Sequence, residues 1–291
     1  MRLPRHDTSL SLPAEPPAAA LSADEALLAQ RSIAHRLVPP GSGPPAAGEA
    51  HHAETSTPRG LASHSRLPPA VQAERSERAC RLRLWRASSR AVVVGIGLRH
   101  RLASIVDLER CGSAGVQVLE RSAGGGALLL DEHMLCGAIA LPISTVPRDV
   151  TESYRWLADV LLSALDLPSA RRVEVAKARQ DIAALRSWDS PVAKALLTTC
   201  YGALSPHEIV LDDRKLVGLA QVRRRDAALF QFGVLLRDQS PLADYLLVPN
   251  ESTREQLRTE LRDRTVGLTA VTDRPVSAVA SAIADAMPCA P

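Results

Sequence analysis

Residues 37–78 limit where a core can form in this chain. The stretch runs through Pro39-Pro40-Gly41-Ser42-Gly43-Pro44-Pro45 and on to Thr57-Pro58-Arg59-Gly60, with no apolar periodicity. Such a mixture cannot bury enough apolar surface to offset the entropy of ordering itself. Residues 1–20 are similarly rich in Pro, Ala and Ser. The sequence therefore predicts a disordered tail over 1–20, a first helix over 21–36, a disordered insertion over 37–78 and a folded domain over 79–291. An insertion of that length is tolerable, because loop-closure entropy grows only logarithmically with length. Ser22 is placed to cap the first helix, with Glu25 three residues on as a capping box.

From about residue 80 onward, short apolar runs alternate with helical periodicity. Leu82–Trp85, Ala91–Ile96, Cys136–Ile143 and Leu229–Leu236 read as strands. Gly115–Leu119 and Ala127–Leu130 read as a strand–turn–strand around three consecutive glycines. Over Asp149–Leu165, residues Tyr154, Leu157, Val160, Leu161 and Leu165 recur near a 3.6-residue period, with Thr151 as cap and Pro168 as stop. Ser205–Leu211 and Lys215–Val222 form a hairpin-like pair around Asp212-Asp213, and Pro241–Leu247, Ser252–Val266 and Val276–Ala286 read as helices. The expected class is α+β: a mixed, mainly antiparallel sheet flanked by helices.

Composition removes several function classes. Hydrophobic residues make up 46% of the chain but aromatics only 3%, so the core is built from Leu, Val, Ile and Ala. A formal charge of +3 does not supply the clustered basic face that nucleic acid requires. Five cysteines (Cys80, Cys111, Cys136, Cys200, Cys289) are odd in number and contain no Cys-x-x-Cys pair, which argues against a disulfide framework and against a zinc site. No apolar run reaches membrane-span length. No apolar segment follows the basic N-terminus as in a signal peptide, so the expected location is a reducing cytoplasm. There is no Walker loop, no His-Glu-x-x-His and no dinucleotide fingerprint.

Two segments about ninety residues apart carry the functional signal. The first is Arg121-Ser122-Ala123-Gly124-Gly125-Gly126-Ala127-Leu128-Leu129-Leu130-Asp131; the second is Arg214-Lys215-Leu216-Val217-Gly218-Leu219-Ala220-Gln221. In this order they resemble the biotin/lipoate protein ligase superfamily, on its side of lipoate–protein ligases and cysteine octanoyl or lipoyl transferases. Arg121, Gly124, Gly125, Gly126, Ala127 and Asp131 match its glycine motif. Lys215, Gly218 and Gln221 match its lysine motif. Ser122 stands where a second arginine is usual, and Leu129-Leu130 replace an aromatic-His pair. Cys200, Tyr201, Ser205 and Glu208 match the register of the cysteine transferases, with Cys200 fifteen residues before Lys215.

The resemblance implies a class II synthetase-like catalytic domain that attaches octanoate or lipoate to proteins. It implies Cys200 and Lys215 as catalytic residues, with the ammonium at the acyl carbonyl. A fixed cation stabilises the charge that acyl transfer builds on oxygen, and a thiolate can hold an acyl group between donor and amine. Arg121, Gly124, Gly125, Gly126, Ala127, Gly218 and Gln221 would contact substrate, the glycines walling an acyl tunnel. The transferase needs no cofactor; the ligase needs ATP and Mg2+. The donor would be acyl carrier protein or free lipoate. The acceptor would be a lipoyl-domain protein, such as the glycine cleavage H protein or a 2-oxo acid dehydrogenase E2. Read without the resemblance, Lys215 could be a surface lysine in a turn, the glycines a bare turn and Cys200 a packed thiol. A degenerate member that only binds an acyl chain or a lipoyl domain is a further alternative. His133 and His207 stand alone, and Arg223-Arg224-Arg225 fits either an acidic partner or a solvated hairpin end.

Overall fold

Among the described residues, seven strands in the order Ala14–Glu15, Arg81–Ala87, Met134–Pro142, Ala227–Leu235, Arg214–Arg223, Ile209–Leu211 and Ala170–Arg172 form the main sheet, and three more, in the order Gln117–Arg121, Ala91–Gly95 and Leu128–Leu130, form a small second sheet. The structure, a computed structural model, describes residues 12–25 and 81–287; the expected insertion at 37–78 and most of the first predicted helix lie outside the described residues. In chain order the elements are β1 (Ala14–Glu15), α1 (17–25), β2 (Arg81–Ala87), β3 (Ala91–Gly95), α2 (Leu108–Ser113), β4 (Gln117–Arg121), β5 (Leu128–Leu130), β6 (Met134–Pro142), α3 (Glu152–Leu165) and β7 (Ala170–Arg172). There follow α4 (Val175–Ser187), α5 (Pro191–Leu197), β8 (Ile209–Leu211), β9 (Arg214–Arg223), β10 (Ala227–Leu235), α6 (Glu251–Arg264) and α7 (Val276–Ala286). The large sheet is antiparallel except for β1 on β2. The α+β expectation holds.

Alternation along the strands divides the side chains between layers. On β10, Phe230, Phe232 and Val234 face a core with Leu157, Leu161 and Leu165 of α3 and Val279 and Ile283 of α7. Tyr154 and Trp156 meet the Phe230 ring edge-on at 6.1 and 5.7 Å. Two of the residues facing the other way are Gln231 and Gly233. Their cross-strand neighbours form two rows, Trp85–Cys136–Gly233–Gly218 and Arg83–Ala138–Gln231–Ala220. Val93, Leu128 and Leu130 of the small sheet share a core with Trp85 and Cys136. Val92, Val94 and Leu129 point the opposite way, into a core with Leu196 of α5 and Leu257 and Leu261 of α6. The site described below lies between the two sheets.

Several local expectations change. Residues 14–25 are structured: β1 pairs with β2, Ala20 is fully buried, and α1 is under way from residue 17 with a proline at its first position. Ser22 therefore sits inside α1 and does not cap it. Arg83 anchors this segment through ion pairs to Glu15 and, at 2.5 Å, to Asp24. The strands around the glycines do not pair with each other but flank β3, β4 parallel and β5 antiparallel to it. Likewise β2 and β3 belong to different sheets. Helix α3 is capped by the Asp149 carboxylate, which accepts from Glu152 N at 2.9 Å; Thr151 makes no side-chain cap bond. The β8–β9 hairpin forms as expected around Asp212 and Asp213, both with positive φ (49° and 62°), the backbone that a two-residue type I′ turn requires.

Candidate functional site

Helix α5 delivers Cys200. Ser190 caps it, accepting from Val192 N at 3.1 Å, and Pro191 opens its first turn. After Leu197 the chain turns and meets the glycine segment at a single bridge between Thr199 and Ala127. Ala127 N donates to Thr198 O at 2.8 Å and Cys200 N donates to Ala127 O at 2.7 Å. Gly126 permits this approach, since a Cβ there would lie 2.3 Å from the Thr199 carbonyl carbon. Gly125 adopts φ 110°, and a Cβ on it would come within 2.5 Å of Arg121 Nη2 and 3.7 Å of Cys200 Sγ. Gly125 and Gly126 thus seat the Cys200 loop, a Cβ on Gly124 would meet open space, and none of Gly124, Gly125, Gly126 and Ala127 is among the residues lining the cavity described below.

The half-buried Cys200 thiol faces the Arg121 guanidinium, with Sγ 3.7 Å from Nη2. The same Nη2 donates to Gly124 O at 2.8 Å. Arg121 is only 9% exposed, and its Nε has no hydrogen-bond partner among the described residues. Tyr201, the next residue, lies over Gly218 and Gly233 and donates its hydroxyl to Gly233 O at 2.8 Å. Burial pushes the Tyr201 phenol well above its usual range, which keeps it a donor. Cys136 is pushed up in the same way by burial and is a packing thiol.

Lys215 is fully buried beneath the loop. Its ammonium pairs with Glu208 Oε1 at 2.6 Å and donates to Cys200 O at 2.5 Å and Ala203 O at 3.3 Å. It also lies 4.9 Å from the Tyr201 ring centroid. Burial pushes the Glu208 carboxyl up from its usual range, against the opposing pull of Lys215. Lys215 is not among the residues lining the cavity described below; its ammonium holds the backbone of Cys200. Gln221 is displaced from the site. Its side chain donates to Val150 O and Ser153 Oγ, both at 3.0 Å, tying β9 to the start of α3. Arg223 likewise donates to the Pro147 and Arg148 carbonyls.

A cavity between the sheets opens beside Cys200. Leu21, Leu128, Leu130 and Met134 line it with apolar surface, and Gly218 and Tyr201 contribute from beneath the loop. Arg121 and Cys200, both expected from the sequence, also line it, but sequence reasoning missed two polar members. Asp24 and Gln231 line it, joined by a 3.1 Å hydrogen bond from Gln231 Nε2 to Asp24 Oδ2. Burial raises the Asp24 carboxyl, with the Arg83 guanidinium opposing. A lone glutamine in the apolar run of β10 was the available signal. Among the described residues, Asp131, Glu132 and His133 place ligand atoms within 4.8 Å of one another. Asp131 there already accepts from His133 N at 2.8 Å and faces Arg237 at 3.6 Å, which describes a turn.

His207 serves the fold. It takes φ 66°, with Nδ1 3.2 Å from Arg172 Nη1 and a buried Nε2 that has no partner among the described residues. Burial, then Arg172, holds its imidazole below the usual value. A base depressed in the folded state takes up its proton first when unfolded, so its contribution is present above about pH 6.5 and is lost as pH falls. His207→Asn, which tolerates the left-handed backbone, should lose less stability than wild type between pH 7 and pH 5 in urea titrations.

Residues 66–287 match the Lipoyl protein ligase A/B catalytic domain, and the chain belongs to that family. It is 31% identical to octanoyltransferase LipM of Kyrpidia tusciae over 193 residues, 64% of this chain and 66% of that one. It is 27% identical to octanoyltransferase LipM of Anoxybacillus flavithermus over 187 residues, 63% and 65% of the respective chains. It spans about 65% of the length of these relatives. In fold it is similar to a bipartite lipoate protein ligase from Thermoplasma acidophilum, with TM-score 0.55, 20% identity and 73% and 72% coverage. Another similar fold is lipoate-protein ligase A bound with ATP, at TM-score 0.50, 22% identity and 73% and 74% coverage.

Proposed function

We propose that the protein is a cysteine-dependent acyltransferase that moves an octanoyl or lipoyl group onto a lysine of a lipoyl-domain protein. The observation that carries this reading is the seating of Cys200, a half-exposed thiol on a clamped loop, beside a cation and at an apolar cavity. In the first step Sγ attacks the carbonyl carbon of an acyl thioester. The bond to the carrier sulfur breaks, the carrier leaves as a thiol with the proton Cys200 gave up, and the acyl group stays on Cys200. In the second step the acceptor lysine's neutral amine attacks that thioester. An amide forms and the Cys200 thiol is restored. The apolar walls hold the alkyl chain and exclude water, which would hydrolyse the thioester. Lys215, committed to Glu208 and the Cys200 carbonyl, fixes the loop. The octanoyltransferase name of the relatives in Kyrpidia tusciae and Anoxybacillus flavithermus supports this reading.

The donor is then an acyl carrier protein and the acceptor a lipoyl domain, such as the glycine cleavage H protein or a dehydrogenase E2. An enzyme working through a free thiol belongs in a reducing compartment such as the cytoplasm. The ATP-bound ligase of similar fold keeps a second route in view, in which ATP and Mg2+ activate free lipoate. One comparison separates the two. A lipoyl domain is incubated with the protein and either octanoyl-carrier protein without nucleotide, or octanoate with ATP and Mg2+. Amide octanoylation from the thioester alone is expected. Modification only with ATP would replace this reading with the ligase, and domain binding without modification would leave a non-catalytic binder.

A further inference from the structure

We propose that the 3₁₀ helix Ile96–Ser104 is the docking surface for the acyl donor, a carrier protein that presents an anionic face around its thioester arm. This rests on the thioester route proposed above and names the surface that route needs. The helix starts at the site. Ile96 N donates to Ala123 O at 3.1 Å, and Gly95 packs so close to the glycine segment that a Cβ on it would lie 2.2 Å from Gly125 O. A Cβ on Gly125 would in turn lie 3.7 Å from Cys200 Sγ. Leu98 and Leu102 hold the inner side of the helix against the core shared with α5 and α6, yet none of its nine residues is fully buried. The outer side is open.

That side carries one sign of charge. Arg99, His100 and Arg101 are exposed, and their side chains make no hydrogen bond or ion pair among the described residues. No acidic residue occurs in the sequence from Arg81 to Val106, and Asp107, which follows, already pairs with Arg110 and Arg254. Apolar anchors flank the cations. Ile96, Leu108 and Leu247 are three of the five exposed large hydrophobic residues among the described ones, and Leu247 N donates to Ile105 O at 2.8 Å, which joins it to the end of the helix. Exposed apolar side chains rimmed by charge mark a protein contact. The sign of the charge selects donor over acceptor. A carrier's arm is attached through a phosphate, so negative charge stands at its root, whereas the acceptor lysine arrives as an ammonium that two arginines repel. Arg99 and Arg101 lie about 6–10 Å along the helix from Ile96, at a rise of about 2.0 Å per residue, which suits the root of the arm and leaves the thioester to reach Cys200. The run Arg223-Arg224-Arg225 is placed less well. Arg223 holds the Pro147 and Arg148 carbonyls, and Arg224 lies about 20 Å along the strand direction from Gly218 at the cavity.

Acylation of Cys200, followed by intact mass, tests this with two donors. One is octanoyl-carrier protein; the other is octanoyl-pantetheine, which has the same thioester but neither phosphate nor protein. Wild type is compared with the double charge reversal, Arg99→Glu with Arg101→Glu, and with the neutral pair, Arg99→Gln with Arg101→Gln. With the carrier at low salt, reversal should slow acylation by about tenfold or more, the lower end of what steering by charge supplies, and the neutral pair should slow it less. The difference should close near 1 M salt, where the screening length falls to about 3 Å. With octanoyl-pantetheine all three proteins should be acylated at one rate, and preformed acyl-enzyme should pass its octanoyl group to a lipoyl domain no more slowly in the variants. Equal carrier rates in wild type and the reversal at low salt would overturn the proposal. So would an equal loss with octanoyl-pantetheine, which would tie the arginines to the active site, or a loss confined to the second step, which would give the surface to the acceptor. No adduct on wild type from either donor is a separate result: it would remove the thioester route itself, and the docking surface with it.

Discussion

Cys200→Ala is expected to remove acyl transfer almost entirely, by on the order of 10³-fold or more, as loss of a covalent nucleophile does. The fold should hardly register the change. The Cys200 sulfur is half-exposed, and its polar contact is the long one to Arg121 at 3.7 Å, so stability should move by less than about 1 kcal/mol. The loop is held instead by backbone bonds to Ala127 and by Lys215, none of which the substitution touches. Initial rates of lipoyl-domain acylation beside thermal unfolding of the same samples check both halves. An active alanine variant would exclude the thioester route.

Lys215→Met should have the largest effect on stability. It leaves Glu208 buried without its ammonium, and breaking a buried pair from one side costs about 3–5 kcal/mol. The sign of the pH dependence follows from the carboxyl. Burial already raises Glu208 in the folded protein, and the lysine was the main opposing influence. A carboxyl raised on folding is protonated more readily folded than unfolded, so its favourable contribution is present at low pH and lost as pH rises through the folded value. The variant should therefore be destabilised more at pH 8 than at pH 5 in urea unfolding. Removing Glu208 as well, with leucine, should recover most of the loss. Equal stability of Lys215→Met and wild type at pH 8 would contradict the buried pair.

The residues that showed most in the sequence were those whose chemistry is local. The three glycines stand out because a missing Cβ permits backbones to meet, and they do sit where two segments meet. What they meet was not legible: Gly126 admits Thr198 to Cys200, some seventy residues downstream. Lys215 was correctly placed on a strand of a hairpin with Asp212-Asp213 at its tip. Its partner Glu208, on the way into that hairpin, was visible as a match in register but not as a counter-ion, because burial is a property of the assembled layers. Gln221 followed the motif yet bonds to the start of α3. Residues 14–20 looked like tail because Pro and Ala carry no periodicity; the ion pairs from Arg83 to Glu15 and Asp24 tie this segment to β2 across a gap in sequence that local patterning cannot bridge.

The decisive measurement is the intact mass of the protein after incubation with octanoyl-carrier protein, wild type beside Cys200→Ala. Capture of the acyl group at Cys200 predicts one added octanoyl group in wild type, cleaved by hydroxylamine and absent from the variant. No adduct in wild type, or an equal adduct in both, would contradict it.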